Sequence, residues 1–295
     1  MNFERIDAVA EEHPVSLVCE LLGVSRSGLY AYRDRKRRPL TPRERENTKL
    51  DHTISTVFDE GRRSYGRPRM QRALRARGIR IGDNRLRKKM RQMGLVAKPK
   101  RRFRKTTDSD HDSPIAPNLL EQDFNAKAPN RVWCSDITYV RTWAGWVYVC
   151  VVIDLFSRKV VGWAAADHMR AELVTDAFDM AVGRRRVEPG LIFHSDRGGQ
   201  FASRQLRRRL TRFRIRQSMS RRGNCYDNAV VESFNDKLKQ ELVHRHSWPT
   251  RERVYLAIAD YIECFYNPVR LHTTLGYLSP NDFEDLHRGA ESLAA

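Results

Sequence analysis

Between residues 131 and 166 three runs rich in β-branched and aromatic residues follow one another with almost nothing between them: RVWCSDITYVR (131–141), WVYVCVVIDLF (146–156) and RKVVGWAAA (158–166). Val, Ile, Thr and Tyr at this density favour a pleated surface over a helix. Residues 142–145 and 154–157 are turn signals, so the runs are expected to pair as consecutive antiparallel strands. Beyond them helical and extended patterns alternate. Residues 170–184 have helical spacing, 191–195 (LIFHS) form a short buried strand, 200–212 a helix and 214–220 a fifth strand. A meander followed by alternating elements predicts an α/β fold, a mixed five-stranded sheet flanked by helices.

The next helix is expected from GNCYDNAVVESFNDKLKQEL (223–242), which has neither Pro nor Gly after Asp227. Val230, Val231, Phe234, Leu238 and Leu242 form one apolar stripe at steps of three and four, and Asn224 or Asp227 is available as N-cap. Glu232 lies opposite the stripe, with Asn228, Asp236 and Lys239 on its side. Taken alone, Glu232 is one charge on a solvated helix face. Two upstream carboxylates change that reading. Asp136 falls in the middle of the first strand, where a charge is disfavoured unless something compensates for it. Asp196 follows the fourth strand and precedes Gly198 and Gly199, which leave room for a close ligand. Hard oxygen donors drawn from three separate elements suit Mg²⁺ or Mn²⁺. Two such ions about 3.5–4 Å apart can serve both the attacking and the departing oxygen on phosphorus, with no covalent enzyme intermediate.

Charge names the partner. The net charge is +19, and residues 62–105 hold 19 Lys or Arg against one acid, Asp83. Self-repulsion on this scale points to a polyanion. Within that segment 68–77 and 83–93 read as helices around a 78–82 turn, with Gly94 as a stop. Mixed-sign surfaces are the norm for solvated helices, so this nearly pure cationic stretch is read as a nucleic-acid contact, with Arg85, Arg87, Lys88, Lys89, Arg101 and Arg102 as candidate DNA-binding residues. A second Arg cluster spans 204–222. Nearer the start, 14–33 resembles a helix-turn-helix, although any αα-hairpin has the same pattern. No apolar run approaches the ~20 residues of a membrane span and no signal peptide opens the chain. Cys19, Cys134, Cys150, Cys225 and Cys264 form no CxxC pair or zinc pattern, and are read as reduced packing residues of a cytoplasmic protein.

With these motifs in view the chain resembles the transposases of bacterial insertion sequences. RVWCSDITYV, HSDRGGQF and GNCYDNAVVESFNDKLKQEL are similar to the three acidic motifs of that family, whose core resembles retroviral integrase and ribonuclease H. The group it most resembles is the one whose transposase is encoded in a second, overlapping reading frame. The likeness runs from about residue 14 to NPVRLHTTLGYLSP (267–280), and the 35 residues between Asp196 and Glu232 match the family spacing. Gly199 and Phe201 stand where Ser and Tyr are common, departures that leave the catalytic motifs intact.

The resemblance implies a ribonuclease H-like sheet preceded by all-α helix-turn-helix DNA-binding regions. It implies a DDE-type transposase in which Asp136, Asp196 and Glu232 are catalytic and bind two Mg²⁺ ions, with Mn²⁺ able to substitute, and in which Lys239 contacts a DNA phosphate. Water would cleave one strand at the element's end, and the freed 3′-hydroxyl would attack a phosphodiester in line, giving a circular intermediate in this group. Partners would be the duplex DNA of the terminal inverted repeats and of the target, further copies of the chain assembled on DNA, and the product of an upstream frame. No membrane is involved, and the location would be the bacterial cytoplasm at the nucleoid. Domains are expected at 1–40 (helix-turn-helix), 41–105 (basic helical DNA-binding), 106–125 (linker), 126–248 (catalytic core) and 249–295 (C-terminal helix and wrapping tail). The tail, 267–284, is expected to be irregular, and residues 288–295 to fray.

Two neighbours of the acids are read as structural. Adjacent strand residues point to opposite faces, so His194 and Ser195 make no nucleophile pair. Asp154 ends the second strand as a turn cap. The rival functions are a sequence-specific DNA-binding regulator with an inactive core and a nuclease that only hydrolyses; a tyrosine recombinase, working through a covalent adduct, is more remote. Reversing the charges of Arg85, Arg87, Lys88 and Lys89 together is expected to weaken DNA binding and flatten its salt dependence, as read from titrations over a range of salt; an unchanged slope would place the contacts elsewhere.

Overall fold

A computed structural model describes residues 3–97, 114–221 and 225–293. Arg101, Arg102 and the proposed cap Asn224 lie outside the described residues. The chain divides into two units, Met1–Thr56 and Val57–Ala295.

The first unit opens with α1 (Phe3–Glu12), which the sequence reading did not anticipate, then α2 (Val15–Leu21) and α3 (Arg26–Arg37). Ile6, Ala10, Val18, Cys19 and Leu29 form its small core. Gly23 turns the chain at φ +63°, and Ser25 caps α3 by accepting from the Gly28 N–H at 3.1 Å. On this hairpin Val18 is buried, whereas Leu21 and Leu22 are exposed. The long α4 (Pro42–Glu60) follows, its last residues belonging to the second unit.

In the second unit α5 (Arg67–Ala76) and α6 (Asp83–Gln92) bury Met70, Leu74, Leu86 and Met90. Gly94, at φ +64°, ends α6 as expected. The sheet contains β1 (Val132–Thr142), β2 (Gly145–Asp154), β3 (Val160–Ala166), β4 (Ile192–Ser195) and β5 (Arg216–Met219), in the order β3-β2-β1-β4-β5. The first three are antiparallel and β4 and β5 run parallel to β1, so the sheet is mixed as expected. One face is covered by α7 (Ala171–Arg184) and α8 (Arg204–Arg212) over Trp133, Val152, Phe178 and Phe193. Gly162 of β3 allows α7 to lie this close, since a Cβ there would stand 2.2 Å from the Ala177 carbonyl oxygen. On the other face lie α9 (Ala229–Glu241) and α10 (Arg251–Ala259), continued by a π-helical stretch, Asp260–Tyr266. They bury Val231, Phe234, Leu238, Ile258 and Tyr261 against Val149, Val151 and Ile153 of β2.

The tail corrects two expectations. Residues 267–279 wrap the core, but Pro280–Leu293 form a helix, α11, where irregular and frayed chain was expected. Ser279 starts it by accepting from the Asp282 N–H at 3.1 Å, with Pro280 at the first helical position, a cap signal present in the sequence. Its Glu284 is buried and accepts from Ser157 Oγ and from both Nη atoms of Arg185 at 2.7–2.8 Å. Asp154, the expected turn cap, accepts from the Phe156 and Asn130 N–H groups and also pairs with Arg185 at 3.2 Å. The wrap also holds the basic helices. The Tyr65 hydroxyl, just before α5, donates to the Val269 carbonyl and accepts from the Leu271 N–H, both at 3.0 Å. The Arg62 guanidinium bonds Asp260 at 2.6 Å and lies 4.8 Å from the Phe265 ring. Cys19, Cys134 and Cys150 pack inside as expected, whereas Cys264 is exposed because its side of the π-helical stretch faces solvent.

Among the described residues Arg185 alone pairs with Asp154, which is fully buried, and it also pairs with Glu284, which Lys159 and Arg288 reach at 3.6 Å as well. Arg185→Ala is therefore expected to destabilise the folded chain by about 3–5 kcal/mol, because it leaves the buried Asp154 without a cation. Chemical denaturation checks this.

Candidate active site

The positions of Asp136 and Asp196 follow from strand register. β1 and β4 are parallel neighbours, and Ser135 pairs with Ser195. The residue after each of these serines is an Asp, Asp136 still within β1 and Asp196 just past β4, so the two acids leave neighbouring backbones about 5 Å apart. Directly after β4 the chain turns on its own acid, the Gly198 N–H donating to Asp196 Oδ1 at 2.9 Å. A Cβ on Gly198 would come within 3.1 Å of that oxygen, so the glycine keeps this side of the carboxylate open. Arg197 Nε donates to the Ser220 carbonyl at 2.6 Å and ties the loop to the end of β5.

The third acid arrives on α9. Its apolar stripe is buried as expected at Val231, Phe234, Leu238 and Leu242, which anchors the helix against the sheet. Phe234 alone contributes on the order of 2–3 kcal/mol by leaving water. Glu232 is exposed in the first turn. The proposed cap is corrected. Asp227 sits in a 3₁₀ turn, Cys225–Asn228, and Asn228 at the cap position makes no side-chain cap bond. The Asp227 carboxylate accepts from Arg221, Gln122 and Asn118 instead, and Arg221 first of all holds its pKa far below the usual range.

The polar side of α9 faces the sheet. Asn228 Nδ2 donates to the Ser135 carbonyl at 3.2 Å, and Asn235 Nδ2 to Asp136 Oδ2 at 2.8 Å. Both asparagines are buried, and among the described residues their Oδ1 atoms have no hydrogen-bond partner. Lys239 is also buried, its Nζ 4.8 Å from the centre of the Tyr139 ring. Burial lowers its pKa, and the charges on Tyr139 and Asp136 push the other way. The sequence reading placed Asn228 and Lys239 on the Glu232 side but missed Asn235. The polar row 228-232-235-239, at helical spacing, was the signal that could have found it.

Asp136 registers its surroundings. Burial first, then the charge of Asp196 and that of Glu232, push its pKa up to about 8, while the Ile137 N–H and Asn235 pull it down. Asp136 thus lies in the repulsive field of both other acids. Among the described residues no three His, Cys, Asp or Glu side chains close around a single point as a metal ion requires. The donor set still fits a hard divalent cation: all-oxygen ligands on separate elements, with a repulsion that a cation would relieve. The neighbouring decoys are structural. His194 is buried between Ser218 Oγ at 2.8 Å and Ser220 Oγ at 3.2 Å, and burial lowers its pKa to about 4. Ser195 Oγ donates to the Asp196 carbonyl at 3.0 Å.

Of the other candidate DNA contacts, those among the described residues lie on α6. On α6, Arg85, Arg87 and Lys88 are exposed and Lys89 is half-buried, opposite Leu86 and Met90. No helix among the described residues is long and apolar enough to cross a membrane.

An HTH-like domain family matches residues 44–103, and an integrase core domain family matches residues 126–225 and again 213–280. The transposase InsF for insertion sequence IS3A, from Escherichia coli K12, is 40% identical over 285 residues, covering 97% of this chain and 99% of the relative. A 31 kDa protein of insertion element IS600 from Shigella sonnei is 39% identical over 91% of this chain and 97% of its own length. Among solved structures the HTLV-2 integrase catalytic core domain in complex with magnesium is a distant likeness, with TM-score 0.41 and 18% identity over 54% of this chain and 99% of that one.

Asn235→Ala removes the one side-chain donor to Asp136 Oδ2 and leaves the apolar anchor of α9 in place. If Asp136 is a metal ligand, strand cleavage is expected to fall about 10–100-fold, the usual cost of losing a group that orients such a ligand. Far-UV circular dichroism should show α9 retained.

Proposed function

The chain belongs to the IS3 family of insertion-sequence transposases, and from that premise we propose that Asp136, Asp196 and Glu232 are the catalytic acids with which this DNA transposase cleaves and joins strands at the ends of its element. The observation that carries the reading is the adjacency of Asp136 and Asp196 at neighbouring parallel strands, with the charge of Glu232 reaching Asp136. The three acids would hold two divalent cations, Mg²⁺ or in its place Mn²⁺. When bound, such ions supply Lewis-acid activation of an attacking oxygen and neutralise charge at phosphorus.

The chain's own residues supply the positioning. Asn235 fixes one oxygen of Asp136 and turns the other toward the cleft. Asn228 pins the first turn of α9 to β1 and so holds Glu232 at the cleft mouth. Gly198 leaves space beside Asp196 for a phosphodiester backbone. Lys239, held against Tyr139 and within the field of Asp136, keeps a positive charge at the floor of the site for a phosphate. Hydrolysis at the element's end frees a 3′-hydroxyl, and in-line attack by that hydroxyl joins strands without an enzyme-linked intermediate. DNA is held by α6 through Arg85, Arg87, Lys88 and Lys89 together with Arg101 and Arg102. The substrates are the terminal inverted repeats and the target, and the chain assembles with further copies on DNA; a product of an upstream frame joins it. Its place of action is the nucleoid in the bacterial cytoplasm.

Asp136→Asn, Asp196→Asn and Glu232→Gln are each expected to abolish cleavage of a labelled element-end duplex in Mg²⁺ while DNA binding persists. Near-wild-type cleavage in any of the three would remove that residue from the site. Nicked products without joined products from the unaltered chain would restrict it to hydrolysis.

A further inference from the structure

The Arg cluster that opens at residue 204 is not accounted for by the cleft or by α6. The sides of α8 are distinct. Leu206 and Leu210 point into the core. Gln205 and Arg209 face α7, where they bond Glu172 at 3.0 Å and Asp179 at 2.9 Å. The remaining crest, opposite the core, is Arg204, Arg208 and Arg212, all exposed and four residues apart. Each step rises about 6 Å, so the three guanidinium groups form a ridge about 12 Å long. Arg214 and Arg216, also exposed, extend it onto β5. Among the described residues none of these five makes an ion pair, whereas Arg209, one position from the crest, does. A surface charged for solubility alone mixes signs; this one does not.

Its location adds the second half of the argument. β5 is one edge of the sheet and β3 is the other. The basic helices α5 and α6 are tied through Tyr65 and Arg62 to residues 260–271, and that segment is bonded to β3. Asn267 caps both backbone groups of Val160 at 2.9–3.0 Å, and Glu263 accepts from Trp163 Nε1 at 2.9 Å. The two cationic surfaces therefore belong to opposite edges of one sheet, about four strand spacings or 19 Å apart in the sheet alone. In strand order β1 and β4, which carry Asp136 and lead into Asp196, lie between those edges.

We propose that the α8 ridge, Arg204, Arg208 and Arg212, is a second binding surface for duplex DNA. It takes the backbone of a different DNA segment from the one held by α6. The assignment rests on the transposase reading for the identity of the polyanion, but not on which residues hold metal. An evenly stepped row of unpaired guanidinium groups suits a regularly spaced line of phosphates and carries no information on base sequence.

The test uses the full chain in the absence of divalent metal, with two duplexes carrying different fluorophores, one an element end and the other of unrelated sequence. The Arg204→Gln, Arg208→Gln, Arg212→Gln triple variant is expected to bind the element end alone within about twofold of the unaltered chain. Capture of the second duplex by the preformed complex should weaken at least tenfold at moderate salt. The slope of log affinity against log salt for that capture should fall by about 2.7, at about 0.9 per lost phosphate contact. The corresponding triple Arg→Lys variant should retain capture, since charge is the agent. Unchanged capture with an unchanged slope would overturn the proposal. So would a parallel loss of element-end binding, which would place one DNA on both surfaces, or loss of capture in the Lys variant. Because no cleavage is read, an error in the metal-binding acids would leave this outcome unaffected.

Discussion

The pairing of Ser135 with Ser195 across parallel strands is the constraint on which the rest depends. A side-chain period of two makes register unforgiving: a slip of one residue would send Asp136 to the opposite face of the sheet. Burying a carboxylate beside a second one on the adjacent strand is costly, and the raised pKa of Asp136 records burial first and the charge of Asp196 second. The fold meets it with apolar packing elsewhere. The stripe of α9 and the π-helical stretch bury Phe234, Tyr261 and Phe265 on the same face, and this burial holds a helix carrying a third acid against two others.

Support for the site is polar and local. Asn228 and Asn235 bind α9 to β1 at two points seven residues apart, one to backbone and one to the acid itself. Among the described residues each leaves a buried Oδ1 without a partner. Farther out, the tail performs a different task. The Glu241–Arg270 pair at 2.6 Å, with the Tyr261 hydroxyl on Glu241 at 2.8 Å, fastens residues 260–272 to α9. Tyr65 and Arg62 then fasten the base of α5 to that same segment. The basic helices are in this way referred mechanically to the helix that carries Glu232.

The legibility of these features divides along physical lines. Strands rich in Val and Ile, the Gly94 stop and the apolar stripe of α9 are local patterns, and the structure contains them where they were expected. Helix α11 was legible in principle, because Ser279-Pro280 followed by Asp282 is a capping signal, but the surrounding Pro and Gly obscured it. Helix α1 carries only three buried residues, Ile6, Asp7 and Ala10, too few for periodicity to announce it. Lys239 was placed on the correct side of its helix, yet that side proved to be a second packing face, and the lysine lies against Tyr139.

By itself the sequence determined the element types, the mixed sheet, the concentration of positive charge in residues 62–105 and the identity and spacing of the three acids, because each is written in short-range pattern or composition. Tertiary structure alone decided which polar residues meet: Asn235 with Asp136, Arg185 with both Asp154 and Glu284, and the division of α8 into a neutralised flank and an uncompensated crest. Those outcomes depend on strand register and helix rotation, which bring together residues as many as 130 positions apart, as Asp154 and Glu284 are. No local propensity encodes a distance of that kind.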